Sequence, residues 1–268
     1  MDPAQLQQTL GSFKHHIEAL YASALRSRKR VAELEARIAM HREGAEAPPD
    51  AVMQSQYGED VLLWEVLGRP RRGFFIEVGA FDGRSLSVSW FFERIGWSGL
   101  LIEGIPERCA QCRAARPKSR VEHAALSRRG ASGVTRFSVP TGQPMLSFHG
   151  THESHRQRVA REGGAVVEVE VPVTSMDALL EKAPPERIDF AVIDVEGGEP
   201  DVLDGFDLAG WKPRVLVIED NLIALPETPV TRVMAGRGYV EATRLVVNRV
   251  YVHQDEREVL ERARGWML

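Results

Sequence analysis

Two short segments of the chain end apolar runs in acids and glycines. The first is residues 75–83, FIEVGAFDG, and the second is residues 193–199, IDVEGGE. Such a run is typical of a buried parallel strand whose polar residues lie at its carboxyl end. In open α/β sheets the ligand lies beyond those carboxyl ends. We therefore expect the two segments to form adjacent walls of one acidic pocket.

The first segment has the wrong chemistry for a phosphate. Phosphate loops combine glycines with backbone amides and often a Lys followed by Ser or Thr, whereas Glu77 and Asp82 flank this turn with carboxylates. Glu103, at the end of the next apolar run, could accept both hydroxyls of a ribose. A nucleoside with a cationic amino-acid tail, S-adenosylmethionine, fits these groups. The alternative is that Glu77 and Asp82 only cap the following helix, since acids favour helix N-termini.

Four segments resemble the FkbM family of S-adenosylmethionine-dependent methyltransferases, across about residues 55–221. They are residues 55–60 (SQYGED), 73–83 (GFFIEVGAFDG), 96–103 (GWSGLLIE) and 188–199 (IDFAVIDVEGGE). The family usually has Glu-Pro after the second strand, but Gly104 and Ile105 separate Glu103 from Pro106 here, which leaves the shape of the ribose site open. The resemblance implies S-adenosylmethionine as cofactor. The predicted cofactor-binding residues are Gln56, Glu77, Gly79, Asp82, Gly83, Glu103 and Ala125.

Beyond residue 55, strand and helix patterns alternate, which predicts βαβ units and a parallel sheet. Strands are predicted at 73–79, 99–103, 119–123, 188–194 and 213–219, and helices near 57–67, 85–94, 106–115, 199–205 and 229–236. Residues 134–139 and 166–174 are predicted to pair and to hold the loop 140–164 over the pocket. Residues 237–253 are predicted to form a hairpin that turns near Val247 and Asn248. The predicted fold class is α/β, a Rossmann-like class I methyltransferase sheet with an antiparallel terminal hairpin, preceded by an N-terminal coiled-coil helix.

The first 40 residues carry apolar or small residues at alternating steps of four and three. This heptad stripe consists of Leu6, Leu10, Phe13, Ile17, Leu20, Ala24, Ser27, Val31, Leu34 and Ile38. The β-branched residues fall in one set and leucines in the other, which favours a parallel two-stranded coiled coil and a homo-oligomer through residues 6–38. The alternative is an amphipathic helix packed back on the domain. The predicted division is helix 1–44, linker 45–54 with Pro48 and Pro49, and methyltransferase domain 55–268.

Composition indicates a globular enzyme of the cytoplasm. The chain of 268 residues is 43% hydrophobic, contains no apolar run of the roughly 18 residues that span a membrane, and opens on a polar segment unlike a signal peptide. A net charge of −4 with a pI near 6.1 argues against general nucleic-acid binding. Cys109 and Cys112 could be a redox pair or half a zinc site, but we interpret them as reduced helical cysteines.

Methyl transfer to a hydroxyl requires orientation of the acceptor and a base or metal to deal with its proton. Asp194 and Glu196 are the candidate catalytic acids at the end of the fourth strand. Asp194, Asp220 and Asn221 offer hard oxygen ligands for Mg²⁺, Mn²⁺ or Ca²⁺, a placement similar to that of catechol-type O-methyltransferases. The alternative is that these acids are caps and that residues 220–221 are a turn.

Histidine offers a competing base, because its ordinary pKa lies near 6.5. His149, His152 and His155 lie in the loop 140–164, and His149 is the first candidate because apolar residues precede it. The same spacing could instead belong to a soft metal site or a polar lid.

The predicted function is O-methyl transfer to a hydroxyl of a sugar or polyhydroxylated metabolite, so the expected partner is a small-molecule or glycan acceptor. The alternative is a coiled-coil scaffold with a non-catalytic methyltransferase-like domain. Loop composition names no acceptor.

Overall fold

The computed structural model describes residues 2–140, 148–149 and 166–267. Its strands are β1 (Phe74–Val78), β2 (Ser98–Glu103), β3 (Arg120–His123), β4 (Ala125–Leu126), β5 (Gly133–Pro140), β6 (Phe148–His149), β7 (Val166–Thr174), β8 (Phe190–Ile193), β9 (Val215–Glu219), β10 (Tyr239–Leu245) and β11 (Asn248–His253). Its helices are α1 (Pro3–Arg42), α2 (Glu59–Val66), α3 (Trp90–Arg94), α4 (Pro106–Ala115), α5 (Met176–Lys182), α6 (Glu199–Asp204), α7 (Leu208–Trp211), α8 (Pro229–Met234) and α9 (Arg257–Arg264).

The central sheet has seven strands in the order β10-β11-β9-β8-β1-β2-β3. Strands β9, β8, β1, β2 and β3 are parallel, and β11 runs antiparallel to both β9 and β10. The predicted parallel sheet with an antiparallel terminal hairpin is thus confirmed. The hairpin turns at residues 246–247, one position earlier than predicted, and Val246 adopts a left-handed φ of 52° there.

The central strands are mostly apolar, as expected for strands covered by helices on both faces of the sheet. On one face Phe75, Phe92 and Phe190 form an aromatic cluster, with ring centroids of Phe92 and Phe190 4.8 Å apart. On the other face Ile76 and Ile193 pack against residues of α5 and α6. This double burial fixes the register of β1 and β8, and therefore the positions of the acids that follow them.

A second sheet, in the order β4-β7-β5-β6, packs beside the carboxyl ends of the main sheet. The predicted pairing of residues 134–139 with 166–174 is observed as the antiparallel ladder of β5 and β7. The predicted loop 140–164 lies outside the described residues, apart from its first residue and the two of β6.

Helix α1 docks on the domain through its second half. Leu25, Ala32, Ala36 and Met40 are buried in the same core as α2. None of the helices in the described part of the chain has the length and apolar character needed to span a membrane.

Candidate active site

A cleft of about 770 Å³ opens at the carboxyl ends of β1, β2, β8 and β9. The second sheet closes one side, because Thr135 and Phe137 of β5 and Val173 of β7 also line it. The strand order reverses between β1 and β8, where ligands bind in open α/β sheets. The two acidic segments singled out from the sequence therefore do form adjacent walls of one cleft.

Gly79 brings these two walls into contact. Its φ is 84°, and a Cβ placed on it would lie 1.9 Å from the carbonyl oxygen of Asp194. Only glycine fits this position, since any side chain would meet backbone. Phe81, Leu86 and Glu196 also line the cleft and are non-glycine residues with left-handed φ, between 51° and 58°. Strained backbone of this kind concentrates at functional sites.

Glu77 organises the wall of the cleft from behind. Its buried carboxylate accepts hydrogen bonds from the Ser87 hydroxyl at 2.8 Å and from the Val88 amide at 2.9 Å, and it also bonds Ser89. These bonds hold residues 84–89 as a loop, so the helix predicted over 85–94 begins only at Trp90. Glu77 lines the cleft, but its oxygens already serve this loop.

Arg116 completes this arrangement from the opposite side. The guanidinium is fully buried and donates to the hydroxyls of Ser87 and Ser89, at 3.1 and 2.7 Å. It also pairs with the buried Glu93 at 3.0 Å. The loop is thus held between the carboxylate of Glu77 and the guanidinium of Arg116. The sequence motif contains Glu77, but it gave no sign of Arg116.

Glu103 ends β2 with its carboxylate in the cleft wall. One oxygen accepts from the Phe81 amide and the other from the Ile105 amide, both at 2.8 Å. Burial raises the pKa of this carboxyl, and the amide bonds oppose that rise. Each oxygen keeps a second lone pair. The pair of oxygens can therefore accept both hydroxyls of a ribose.

Two predicted cofactor-binding residues do not line the cleft. Asp82 accepts hydrogen bonds from the Arg84 and Ser85 amides and from the Ser85 hydroxyl, at 2.7 to 2.8 Å, so it caps this turn. Gly83 is required by packing, because a Cβ there would lie 2.8 Å from the sulfur of Cys112. Their contribution to the cofactor site stays a prediction, and in this structure they shape the turn that precedes α3. The remaining members of the predicted set, Gln56, Glu77, Gly79, Glu103 and Ala125, all line the cleft.

Asp194 and Glu219 meet at the acidic end of the cleft. Val192 of β8 pairs with Val217 of β9. Asp194 and Glu219 each follow two residues later, so their side chains lie on the same face of the sheet. Their carboxylate oxygens lie within 4.8 Å of each other. Sequence reasoning passed over Glu219 in favour of its neighbours, although this strand parity was a readable signal.

The pKa of each carboxyl in this pair is raised. Shielding from bulk water within the cleft raises the pKa of Asp194 to about 7, with the charges of Glu196 and Glu199 adding to the rise. Burial, followed by the charge of Asp194, raises the pKa of Glu219 to about 9. Asp194 remains open to the cleft itself. Both carboxyls therefore hold their protons to higher pH than ordinary acids do. Asp194 is the member that a ligand can reach.

The predicted metal set of Asp194, Asp220 and Asn221 is not brought together. Asp220 is buried, bonds the guanidinium of Arg249 at 2.6 Å and accepts the Thr228 hydroxyl at 2.6 Å. Its side chain follows strand parity to the face opposite Glu219. Asn221 lines the cleft. The oxygens of Asp220 are thus occupied by Arg249 and Thr228, and its role as a metal ligand stays a prediction that this geometry does not favour.

A different set of acids could hold a divalent cation. Among the described residues, Asp194, Glu199 and Glu219 offer carboxylate oxygens that all lie within 4.8 Å of one another. Glu199 is oriented by the amides of Val195 and Gly197, each at 3.0 Å. Such oxygens suit Mg²⁺, Mn²⁺ or Ca²⁺.

The other predicted catalytic residues lie in different situations. Glu196 lines the cleft next to Asp194. The backbone of His149 pairs with Phe137, a cleft residue, while His152 and His155 lie outside the described residues. Further cleft residues that sequence reasoning had not assigned include Glu59, which accepts the Asn248 side-chain amide at 2.6 Å, and Arg108.

The family model of the methyltransferase FkbM domain matches residues 77–251. No curated protein matches the chain. Among solved structures, the chain is similar to a TehB-like SAM-dependent methyltransferase from Corynebacterium glutamicum, with 16% identity, 77% of this chain and 72% of that chain covered, and a TM-score of 0.34. It is also similar to an O-methyltransferase from Bacillus cereus in complex with SAH, with 11% identity, coverage of 82% and 89%, and a TM-score of 0.38. A third is the O-methyltransferase TomG from Streptomyces achromogenes in complex with SAM, with 14% identity, coverage of 82% and 87%, and a TM-score of 0.38.

The family match includes the glycine loop after β1, Glu103 after β2, and the acids after β8 and β9. It spans more than half of the chain and both walls of the cleft. The chain therefore belongs to the FkbM family of S-adenosylmethionine-dependent methyltransferases.

Proposed function

We propose that this enzyme transfers the methyl group of S-adenosylmethionine to a hydroxyl of a sugar or polyhydroxylated metabolite. The observation that carries the proposal is the division of the cleft into two ends. Glu103 supplies a fixed hydrogen-bond acceptor at the β2 end, and Asp194 and Glu219 supply a pair of closely spaced acids at the other.

The first end fits a nucleoside. Glu103 presents two oxygens, each able to accept more than one hydrogen bond, and Gly79 lets the two walls meet because a Cβ there would lie 1.9 Å from the Asp194 carbonyl oxygen. Gln56 and Ala125 also line the cleft. When bound, S-adenosylmethionine supplies an electrophilic methyl on its sulfonium.

The second end fits a hydroxyl acceptor. An alcohol needs a base as it attacks, and the most effective base has a pKa near the working pH. Asp194 is exposed to the cleft with its pKa raised to about 7. Asp194 would take the hydroxyl proton, while the neighbouring carboxyl and amide groups of Glu219 and Asn221 offer partners for further hydroxyls on the same acceptor.

In a second candidate mechanism, the acids at this end of the cleft bind a divalent cation. It is favoured by the convergence of oxygens from Asp194, Glu199 and Glu219 within 4.8 Å. In that case the cation would lower the pKa of the acceptor hydroxyl in place of the base.

The test begins with S-adenosylhomocysteine binding by calorimetry, followed by a screen of sugars and glycosides read by the mass gain of one methyl. We expect binding and methylation of a hydroxyl, with Asp194→Asn strongly impaired. The matched control is Asp204→Asn, an exposed acid at the end of α6. Activity that persists in EDTA would leave the base in place and eliminate the cation. Failure to bind S-adenosylhomocysteine would favour a non-catalytic scaffold.

A further inference from the structure

The heptad stripe of α1 is exposed along its whole length. All ten positions are exposed, and the exposed fraction of the large apolar ones runs from 42% at Leu34 to 71% at Leu20. The residues that α1 buries, such as Leu25, Ala32 and Ala36, lie on the opposite side of the helix. The helix therefore has two apolar faces, and only one of them is covered within the described residues.

The first half of α1 stands clear of the domain. Residues 5–20 are all exposed, whereas the second half is docked through Arg28, which pairs with Glu65, and Glu33, which accepts the Met53 amide at 2.9 Å. A helical segment of this length is marginal in water without packing. The exposed stripe is the face on which such packing would occur.

The geometry of the stripe indicates that its partner is another helix with the same heptad spacing. Its steps of four and three never slip between Leu6 and Ile38, which gives a narrow seam of period 3.5. A helix that lies on a membrane needs a broader apolar face.

The residue types specify a parallel pair. The heptad a positions include Ile17, Val31 and Ile38, and the d positions include Leu20 and Leu34. β-Branched residues at a with Leu at d favour two parallel strands. In that register Arg30 of one helix lies at a g position opposite Glu35 at an e position of the other, which are opposite charges.

We propose that two copies of this chain associate through the heptad stripe as a parallel two-stranded coiled coil. This association is independent of the reaction proposed above. It has a structural link to the cleft, because the Tyr21 hydroxyl on α1 donates to the carbonyl of Tyr57 at 2.9 Å, and Tyr57 lines the cleft. The helix that joins the two copies thus also supports one cleft wall in each.

The test uses full-length variants, because deletion of α1 would also remove Leu25, Ala32 and Ala36 from the core. The double variant Ile17→Glu/Leu20→Glu places charges in the seam at residues that are 65% and 71% exposed. The matched control, His15→Glu/Ala19→Glu, places the same charges on the same turns but outside the stripe. Light scattering measures the mass against 29.9 kDa for one chain.

We expect the wild type and the control to be dimers, and the seam variant to dissociate at least about a thousandfold more readily. S-adenosylhomocysteine binding should be alike in all three, and any loss of helical circular dichroism in the seam variant should be limited to what residues 5–20 contribute. A wild-type mass of one chain at about 100 µM, or a seam variant that remains dimeric, would refute the proposal.

Orientation is tested separately with Leu10→Cys. In a parallel pair the two introduced thiols face each other, so mild oxidation should give a covalent dimer, while His15→Cys on the outer face should not. Cys109 and Cys112 are buried and serve as an internal background. Absence of the crosslink in a dimeric protein would overturn the parallel arrangement. A membrane is tested as the alternative partner by sedimentation with vesicles of phosphatidylcholine and phosphatidylglycerol. Binding of the wild type to these vesicles as a monomer would contradict the coiled coil.

Discussion

Glu103 ends β2 and Asp194 follows β8, so both carboxylates lie at the carboxyl edge of the sheet. Their surroundings nevertheless give them different chemistry. Glu103 bonds a backbone amide through each oxygen, which fixes its orientation. Shielding from bulk water, and then the charges of neighbouring acids, raise the pKa of Asp194. We therefore propose cofactor recognition for Glu103 and proton transfer for Asp194.

Replacing Glu103 with Gln should weaken S-adenosylhomocysteine binding by about 10- to 150-fold, the value of one charge-assisted hydrogen bond. Calorimetry at constant salt measures the dissociation constant. Glu107→Gln, an exposed residue on α4, is the control and should bind normally. Equal affinities for both variants would remove Glu103 from the cofactor site.

Replacing Asp194 with Asn should lower kcat by about 10²- to 10⁴-fold, the usual contribution of a general base. In the wild type kcat/KM should rise with pH through about 7, because the base must be deprotonated to act. The charge of Glu196 raises the pKa of Asp194, so Glu196→Gln should move the acid limb of the profile to lower pH. An unmoved limb would show that a different group titrates.

At the scale of elements, the sequence predicted strands well because their apolar runs are buried on both faces. Residues 73–79 and 99–103 were predicted, and β1 and β2 occupy 74–78 and 98–103. The start of α3 could not be predicted, since the loop before it is held by Glu77 and Arg116, contacts between residues distant in sequence. Glu219 could have been found from strand parity, whereas the role of Arg249 in binding Asp220 could not.

Replacing Arg116 with Met should destabilise the fold by about 3–5 kcal/mol, because it leaves the buried Glu93 without its partner. Urea unfolding measures the loss. Arg264→Met, the same change at an exposed position of α9, should cost little. A small effect at Arg116 would mean that the network is not held by its charge.

At the scale of the whole molecule, the cleft acids make folding depend on pH. The pKa values of Glu103, Asp194, Glu199 and Glu219 are all raised in the folded state. The folded chain therefore binds more protons than the unfolded chain, and stability falls as pH rises from about 4 to 9.

Melting temperatures should accordingly decrease as pH rises over this range. Acid denaturation, where it occurs, would act in the opposite direction and only near pH 4. Glu219→Gln, which cannot ionise, should raise the melting temperature at pH 8 and change it little at pH 5. Glu258→Gln on the exposed face of α9 is the control. A variant that is no more stable than the wild type at pH 8 would contradict the raised pKa.

The N-terminal helix shows what a one-dimensional pattern leaves undecided. Its sequence supported both a coiled-coil seam and a face packed on the domain, and the structure has the packed face on α1 with the stripe exposed on the other side. Heptad spacing locates a stripe, but it does not reveal which side of a helix its own domain covers.

The raised pKa values of Asp194 and Glu219 also couple ligand binding to proton release. A positively charged ligand lowers the pKa of nearby acids, so S-adenosylmethionine should expel protons into the buffer as it binds. Near pH 7 its binding enthalpy should differ between phosphate and Tris, which take up protons with different heats. S-adenosylhomocysteine, which lacks the sulfonium charge, should show a smaller difference, and equal differences for the two ligands would place the sulfonium away from the acid pair.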